Sequence, residues 1–406
     1  MSQIEVVIIG SGPAGLSAAL RLGQSGVATV IVDEYPRPGG RLLGQLYRRG
    51  RFWWNGRAEA EKLIAAVRQC PSVQWRLGTS VVALTPNQGG WRVSLSGSES
   101  VDGVAAVLIA TGAAEVPVPV KNWNRPGVMT IGAAQVMANV YRVRPGQRGI
   151  VVGGGPLAFA IAQELSWAGV ELTGIVMPPP GLPAPSTLTP YAQWRSIGAL
   201  SHLAPWWARP LVPLLKDDGR IPELMARIPA AGIGVAGTRL KPNVAAVEIL
   251  GEDRVEGIRL QRLSREGRLV GQPWIESVDF VLLSGGLRPI PDLFHVVGAR
   301  IRRSDEGIYD VPVFGPLGET TAPGVFGAGN ALGVEGAPVA MAQGTGAALG
   351  ILRYLHREGD HWGDEVSEHA RELRRVRTDA PLVFSHEWSR IHEDIAQQWQ
   401  QVEGGR

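Results

Sequence analysis

The sequence Gly10-Ser11-Gly12-Pro13-Ala14-Gly15 sets three glycines where a chain leaves a strand and enters a helix. Residues 4–9 are an apolar run of the kind that forms a buried parallel strand, and Leu16 to Gln24 carry apolar residues at helical spacing, with Gly26 as a stop. Val27 to Val32 reads as a second strand, completing a βαβ unit. In such a turn the chemistry is phosphate binding. Gly10 permits the sharp turn, Gly12 lets backbone approach a pyrophosphate, and Gly15 lets the helix sit close to the strand. The helix, from Pro13 and Ala14 onward, then aims its free N–H groups and positive dipole end at the phosphates. A lone Gly-x-Gly-x-x-Gly is a weak signal, but here an acid stands at the right distance. Asp33 ends the second strand 23 residues beyond Gly10, where a carboxylate accepts hydrogen bonds from ribose hydroxyls. Glu34 is adjacent and able to share that role.

The pattern returns at Gly153-Gly154-Gly155-Pro156-Leu157-Ala158. Gly149 to Val152 supplies a strand, Phe159 to Trp167 a helix, Gly169 its stop, and Val170 to Met177 a strand. Gly153 and Gly155, followed by Pro156 and Leu157, form a second candidate nucleotide loop, with Ala158 as its third small residue. The same 23-residue offset leads to Val176, followed by Met177 and Pro178. No acid for an NAD ribose and no Arg for an NADP phosphate is found there. The loop could hold a second nucleotide, ATP or NAD(P), through its phosphates, or persist as a relic that keeps the fold. Efficient use of a nicotinamide as hydride donor is disfavoured.

Other features bound the function. With 406 residues the chain suits two or three domains, and 45% hydrophobic with 19% charged residues suits a soluble globular protein. A net charge of +3 without a basic, aromatic-interleaved run gives nucleic-acid binding little support. One cysteine, Cys70, excludes an internal disulfide, a redox dithiol or a cysteine-held iron–sulfur cluster within this sequence, and reads as a small side chain at a helix end. No apolar run reaches the ~18–20 residues of a membrane span, and no cleavable leader precedes the first strand, so a cytoplasmic protein is expected. Residues 178–213 are broken by prolines and carry Trp194, Trp206 and Trp207, as a partner surface or as packing on the second domain. Five of the seven histidines, His356, His361, His369, His386 and His392, lie in a charged helical tail. They match no zinc signature and are read as surface residues, and no metal site is expected.

Further segments resemble FAD-binding oxidoreductases of the glutathione-reductase and thioredoxin-reductase type. Pro36-Arg37-Pro38-Gly39-Gly40-Arg41 resembles their Pro-Gly-Gly turn, whose amides meet the pyrophosphate from its other side. Val81-Val82 resembles the strand whose backbone meets adenine, although Val82 also reads as an ordinary core valine. Val107 to Gly112 matches the motif ending in Ala110-Thr111-Gly112. Pro323 to Asn330 resembles the late motif whose last residue bonds the ribityl chain. That residue is usually Asp and here is Asn330, after Gly329. An amide can still donate to and accept from a hydroxyl. Glu335-Gly336-Ala337 then opens a helix which, in the family, points at the flavin's pyrimidine edge, where negative charge grows on reduction.

The combination of Asp33-Glu34, Trp53-Trp54-Asn55-Gly56, Ala110 to Ala113 with Pro117, Pro126 to Thr130, Gly153 to Leu157 and Ser284-Gly285-Gly286 is similar to one branch. That branch is the FAD-binding alpha (A) subunits of hetero-oligomeric amino-acid and opine dehydrogenases. It includes opine oxidase, dye-linked proline and hydroxyproline dehydrogenases and a hydrogen cyanide synthase subunit, and the resemblance covers residues 1–355. It implies an α/β fold with two Rossmann-like dinucleotide-binding domains, the second inserted in the first. The FAD domain would comprise 1–118 and 287–355, the NAD(P)-like domain 119–286, and the helical tail 356–406. It further implies FAD as cofactor and a beta subunit resembling sarcosine oxidase that oxidises the substrate. Any [2Fe–2S] cluster would sit on a small iron–sulfur subunit, because the cysteines are missing here. Two alternatives stay open: a stand-alone NAD(P)H-dependent FAD reductase of a ferredoxin-like partner, and a nucleotide-binding scaffold without catalysis. No general acid, base or nucleophile is assigned, and Arg41, Gln45 and Tyr47 read either as flavin neighbours or as surface.

Overall fold

The computed structural model describes residues 3–49, 52–182, 188–189, 192–194, 221–235, 237–303, 310–380 and 388–404. It divides into two compact units. The first holds residues 1–43, 55–114 and 288–406, the second residues 44–54 and 115–287.

The first unit begins with Val6–Ile9 (β1), buried on both faces because its four side chains are all branched and apolar. Pro13–Gln24 (α1) follows, its fixed proline φ suiting the first helical turn. Then come Thr29–Asp33 (β2), Val73–Leu77 (β3) and Ala106–Ile109 (β4). A three-stranded antiparallel sheet, over 81–87, 90–95 and 100–104, is inserted before β4. The βαβ unit read from the sequence is present, with β1 and β2 parallel and Ile9 opposite Val32.

The second unit repeats the scheme. Its strands are Val128–Thr130 (β5), Arg148–Val152 (β6), Glu171–Met177 (β7), Thr238–Leu250 (β8), Gly257–Leu263 (β9), Leu269–Glu276 (β10) and Phe280–Leu283 (β11). Pro156–Trp167 (α2) joins β6 to β7. The strands lie in the order β5-β11-β6-β7-β8-β9-β10, parallel as far as β8 and antiparallel beyond it. Trp194 is fully buried in this unit and donates from Nε1 to the Pro242 carbonyl at 2.7 Å, so it packs inward rather than offering a partner surface. Trp206 and Trp207 lie outside the described residues.

The chain then returns to the first unit. Val325–Gly327 (β12) joins the edge of the first sheet, giving the order β12-β4-β1-β2-β3, all parallel. Ala337–Tyr354 (α3), Trp362–Thr378 (α4) and Trp388–Gly404 (α5) complete it. Residues 356–406, read from the sequence as a separate tail, group with this unit. Trp388, Ile391, Ile395 and Trp399 are buried at helical spacing along α5. His369 corrects the surface reading: it is buried against Gly346, where a Cβ would overlap the imidazole. Burial, and then the charge of Arg377, hold its pKa below the ordinary histidine value.

Candidate dinucleotide site

The glycine loop of the first unit sits where β1 and β4 end side by side. Gly10 has φ +106 and a Cβ there would overlap the Ala110 carbonyl oxygen, so only glycine lets the loop cross that strand end. A Cβ on Gly15 would overlap the Gly10 carbonyl oxygen, which fixes α1 close under the turn. Gly12 is different. Its backbone is ordinary extended chain, and no described atom lies within 4 Å of the place its Cβ would take. Neither conformation nor packing among the described residues demands a glycine at 12. The open space over its backbone is what a pyrophosphate needs.

Three further segments meet this loop. The Gly39 N–H donates to the Ser11 carbonyl at 2.8 Å, and a Cβ on Gly40 would come 3.0 Å from the Gly12 Cα, so the Pro-Gly-Gly turn closes over the loop. Ala110 donates to the Ile9 carbonyl at 2.9 Å, placing Thr111 and Gly112 at the same strand ends. Thr111 Oγ1 is shielded from solvent and has no hydrogen-bond partner among the described residues, a hydroxyl waiting for a ligand atom or water. A Cβ on Gly329 would meet the Ala14 Cβ at 2.8 Å, and one on Gly344 would overlap the Ala14 carbonyl. These two glycines press the late motif and α3 against the first turn of α1. Asn330 is half-buried and its Oδ1 accepts the Glu335 N–H at 3.4 Å, while Ala337, buried, begins α3.

Asp33 is held as an acceptor. Its Oδ2 takes both the Ser11 N–H and the Ser11 hydroxyl at 2.6 Å, and its Oδ1 takes the Tyr35 N–H at 2.9 Å. The carboxylate is thereby fixed at the loop with lone-pair capacity left for a ribose. Ser11 was missed in the sequence, where it is only the variable residue between two glycines. Glu34 and Arg41 are exposed beside the site. Val82 is 63% exposed at a register shift between Val81 and Ala83, so it is not a core valine. Gln45 and Tyr47 belong to the second unit, where Gln45 accepts from Trp54 Nε1 at 3.3 Å and Tyr47 stacks on Trp54.

The loop of the second unit has the same skeleton. Gly153 has φ +115, and a Cβ there would overlap the Ser284 carbonyl, as Gly10 would overlap Ala110. Gly155 is open like Gly12, and Pro156 starts α2. The difference is the acceptor. Gly10 donates to the Val32 carbonyl and Gly153 to the Val176 carbonyl, each at 2.8 Å. The structural counterpart of Asp33 is therefore Met177, one residue beyond the position that the 23-residue offset gives. A register shift between Gly149 and Val151 in the β6–β7 pairing takes up the extra residue. Met177 is fully buried. The Gly154 N–H, which corresponds to that of Ser11, donates instead to the side-chain carbonyl of Gln193 at 2.6 Å. Gln193 is itself buried, and its distance in sequence hid it from a spacing argument.

One ionisable group in this unit stands apart. Glu164, on α2, is 4% exposed. It accepts from Gln135 Nε2 at 2.9 and 3.1 Å, from Asn139 Nδ2 at 2.6 Å and from the Leu46 N–H at 3.4 Å. Burial outweighs these bonds and pushes its pKa up to about 7. Among the described residues no cluster of His, Cys, Asp and Glu could hold a metal, and no helix is long and apolar enough to cross a membrane.

The comparisons with known proteins agree with this geometry. The sequence model of the family described as pyridine nucleotide-disulphide oxidoreductase matches residues 4–191. That match takes in both glycine loops and Asp33, so the chain is similar to oxidoreductases built on two dinucleotide-binding domains. Within that class it is 31% identical over 362 residues to the (A) subunit of opine oxidase from Agrobacterium tumefaciens, covering 86% of this chain and 66% of that one. It is 30% identical over 360 residues to the corresponding opine oxidase subunit from Rhizobium meliloti, covering 86% of this chain and 62% of that one. The chain thus spans just under two thirds of the length of these relatives. L-proline dehydrogenase from P. horikoshii superposes with a TM-score of 0.63 at 19% identity, over 92% of this chain and 59% of that one, and so shares the fold.

Proposed function

We propose that this chain is the FAD-binding, electron-transferring subunit of a heteromeric amino-acid, imino-acid or opine dehydrogenase. The observation that carries this reading is the asymmetry of the two loops: Asp33 stands at the first and buried Met177 at the second. Bound FAD would supply the redox chemistry, as a carrier of electrons taken up elsewhere in the complex. The residues of this chain bind and orient it. The Gly10–Gly15 turn and the α1 N-terminus receive the pyrophosphate between Gly12 and the Gly39-Gly40 turn. Asp33, with Glu34 beside it, would receive the adenosine ribose, and Val82 would meet the adenine. Thr111 and Asn330 would offer hydroxyl and amide groups to the ribityl chain, and the α3 N-terminus at Ala337 would serve the pyrimidine edge. In the second unit, open Gly155 suits the phosphates of a second nucleotide, ATP or NAD(P), without an acid to hold a ribose.

The partner would be a beta subunit resembling sarcosine oxidase, with a small iron–sulfur subunit where a cluster is needed. Trp53 and Trp167 support a partner surface: they are 53% and 41% exposed, lie edge to face at 4.8 Å, and Arg48 covers Trp53 at 5.9 Å. Anaerobic mixing of the purified flavoprotein with NADH or NADPH tests the reading. Flavin absorbance is expected to persist, and rapid bleaching would establish the stand-alone reductase instead. Colourless protein that binds ATP would establish the scaffold.

A further inference from the structure

Glu335 stands two residues before α3, at the entrance to the helix that closes the candidate flavin site. Its N–H donates to Asn330 Oδ1 of the late motif at 3.4 Å, which ties the two segments together. A lone carboxylate here would work against the site. Negative charge grows at the pyrimidine edge of a flavin on reduction, and an anion beside it makes that charge harder to add. The structure shows what offsets it. Arg377, near the end of α4, donates from Nε to Glu335 Oε1 at 2.8 Å and from a terminal nitrogen to Oε2 at 2.9 Å. This is the two-pronged pairing that a guanidinium makes with a carboxylate. Gln343 Nε2 adds a bond to Oε2 at 3.1 Å. The remaining neighbour, His392 of α5, lies 3.7 Å from Oε2, outside hydrogen-bond range, and stacks on Trp388. Burial holds that histidine below its ordinary pKa, which leaves Arg377 as the cation of the group. The Arg377 side chain is two-thirds buried and that of Glu335 more so, which limits solvent screening of the pair.

We propose that Arg377 is a positioning residue of the flavin site, holding Glu335 as a neutralised ion pair at the α3 entrance and so setting how readily a flavin bound there accepts negative charge. The inference rests on the flavin reading above. It gives the C-terminal helices a role in redox tuning besides their packing.

The test is a spectroelectrochemical titration of the flavin-loaded protein and three variants. Glu335→Gln leaves Arg377 uncompensated and is expected to raise the midpoint potential. Arg377→Gln leaves Glu335 uncompensated and is expected to lower it. The double variant should return close to the wild type. Opposite signs are the signature, since a purely structural role would move both single variants the same way through loosened FAD. Two single variants that retain flavin and shift the potential in one direction, or not at all, overturn the proposal. Should Arg377→Gln not fold, Glu335→Gln alone still decides by its sign, and Arg377→Lys, which keeps the charge, should stay near wild type. Wild-type protein that takes up no FAD ends the flavin reading itself. FAD bound with unmoved potentials ends only this one.

Discussion

In the first unit Ser11 gives its N–H to Asp33, and in the second Gly154 gives the equivalent N–H to Gln193, both at 2.6 Å. One acceptor ends the adjoining strand. The other arrives from a segment reached only after that strand has ended. A buried amide in a tight turn needs an acceptor whether or not a ligand is present. The two loops show that this structural demand can be met without the chemistry that holds a ribose. A carboxylate answers both demands, since it carries spare lone pairs and a negative charge. The Gln193 carboxamide answers the first and brings no charge. The open glycine is present in both, so on the proposed reading phosphate access and ribose recognition are separate in the second unit.

The sharpest way to break the comparison is at the open glycines. Gly12→Val and Gly155→Val each place a Cβ where no described atom lies within 4 Å, on backbone that any residue adopts. Both proteins should fold with near-native melting temperatures. Gly12→Val should lose bound FAD, with an affinity loss of at least about 100-fold as the side chain takes the phosphate's place. Gly155→Val should keep full flavin content. Flavin absorbance per chain after gel filtration measures both. Equal flavin loss in the two variants would show that the loops are not distinct in role.

The fold and the meeting of the first candidate site's segments were legible because their determinants are local. The turn from Gly10 to Gly15, Asp33 and the Gly39-Gly40 turn lie within one βαβ unit, where spacing in sequence maps directly to spacing in the structure. What stayed hidden depends on long-range pairing. The fixed offset from Gly153 fell on Val176 because one extra residue is absorbed between β6 and β7, which no count along the chain reveals. Gln193 and Arg377 act on residues 39 and 42 positions away. His369 looked like a surface histidine because its helix is charged, yet the missing side chain of Gly346 makes room for it in the interior.

The helices after the two loops differ as well. Eight residues beyond the opening proline, α1 has Arg21, paired with Glu365 at 2.5 Å, whereas α2 has buried Glu164. With a folded pKa of about 7 and an ordinary value of 4.5, folded protein keeps the Glu164 proton where unfolded protein has lost it. Its contribution to stability is therefore fully present below pH 4.5 and lost as pH rises toward 7, a total of about 3 kcal/mol. Glu164→Gln should be insensitive to that window. Urea unfolding at pH 5 and pH 8 should show the variant gaining on wild type at the higher pH. A difference that does not change with pH would mean the carboxyl is ionised throughout.

Removing the charge at the first loop should cost less than blocking it. Asp33→Ala takes away an ionised acceptor and should weaken FAD binding by about 10- to 100-fold, the equivalent of about 1.5–3 kcal/mol for bonds to a charged group. A titration of apoprotein with FAD, followed by flavin fluorescence, reads this directly. An unchanged affinity would assign the ribose to Glu34 or to no acid at all.

The smallest effect is expected at the counterpart, and its kind matters more than its size. Gln193→Ala strips the acceptor from the Gly154 N–H and leaves that buried donor unmatched, which should lower stability by about 1–3 kcal/mol. FAD affinity should stay within about twofold of wild type, because Gln193 makes its bond within the second unit and the residues proposed to hold the flavin belong to the first. Gln193→Glu restores a carboxyl to the second loop and supplies the harder test. If charge alone separates the loops, this variant should gain affinity for an adenosine nucleotide, measured by calorimetry with NAD and ADP. No gain would mean that buried Met177 and the packing around it, not the missing charge, close the second loop to a ribose.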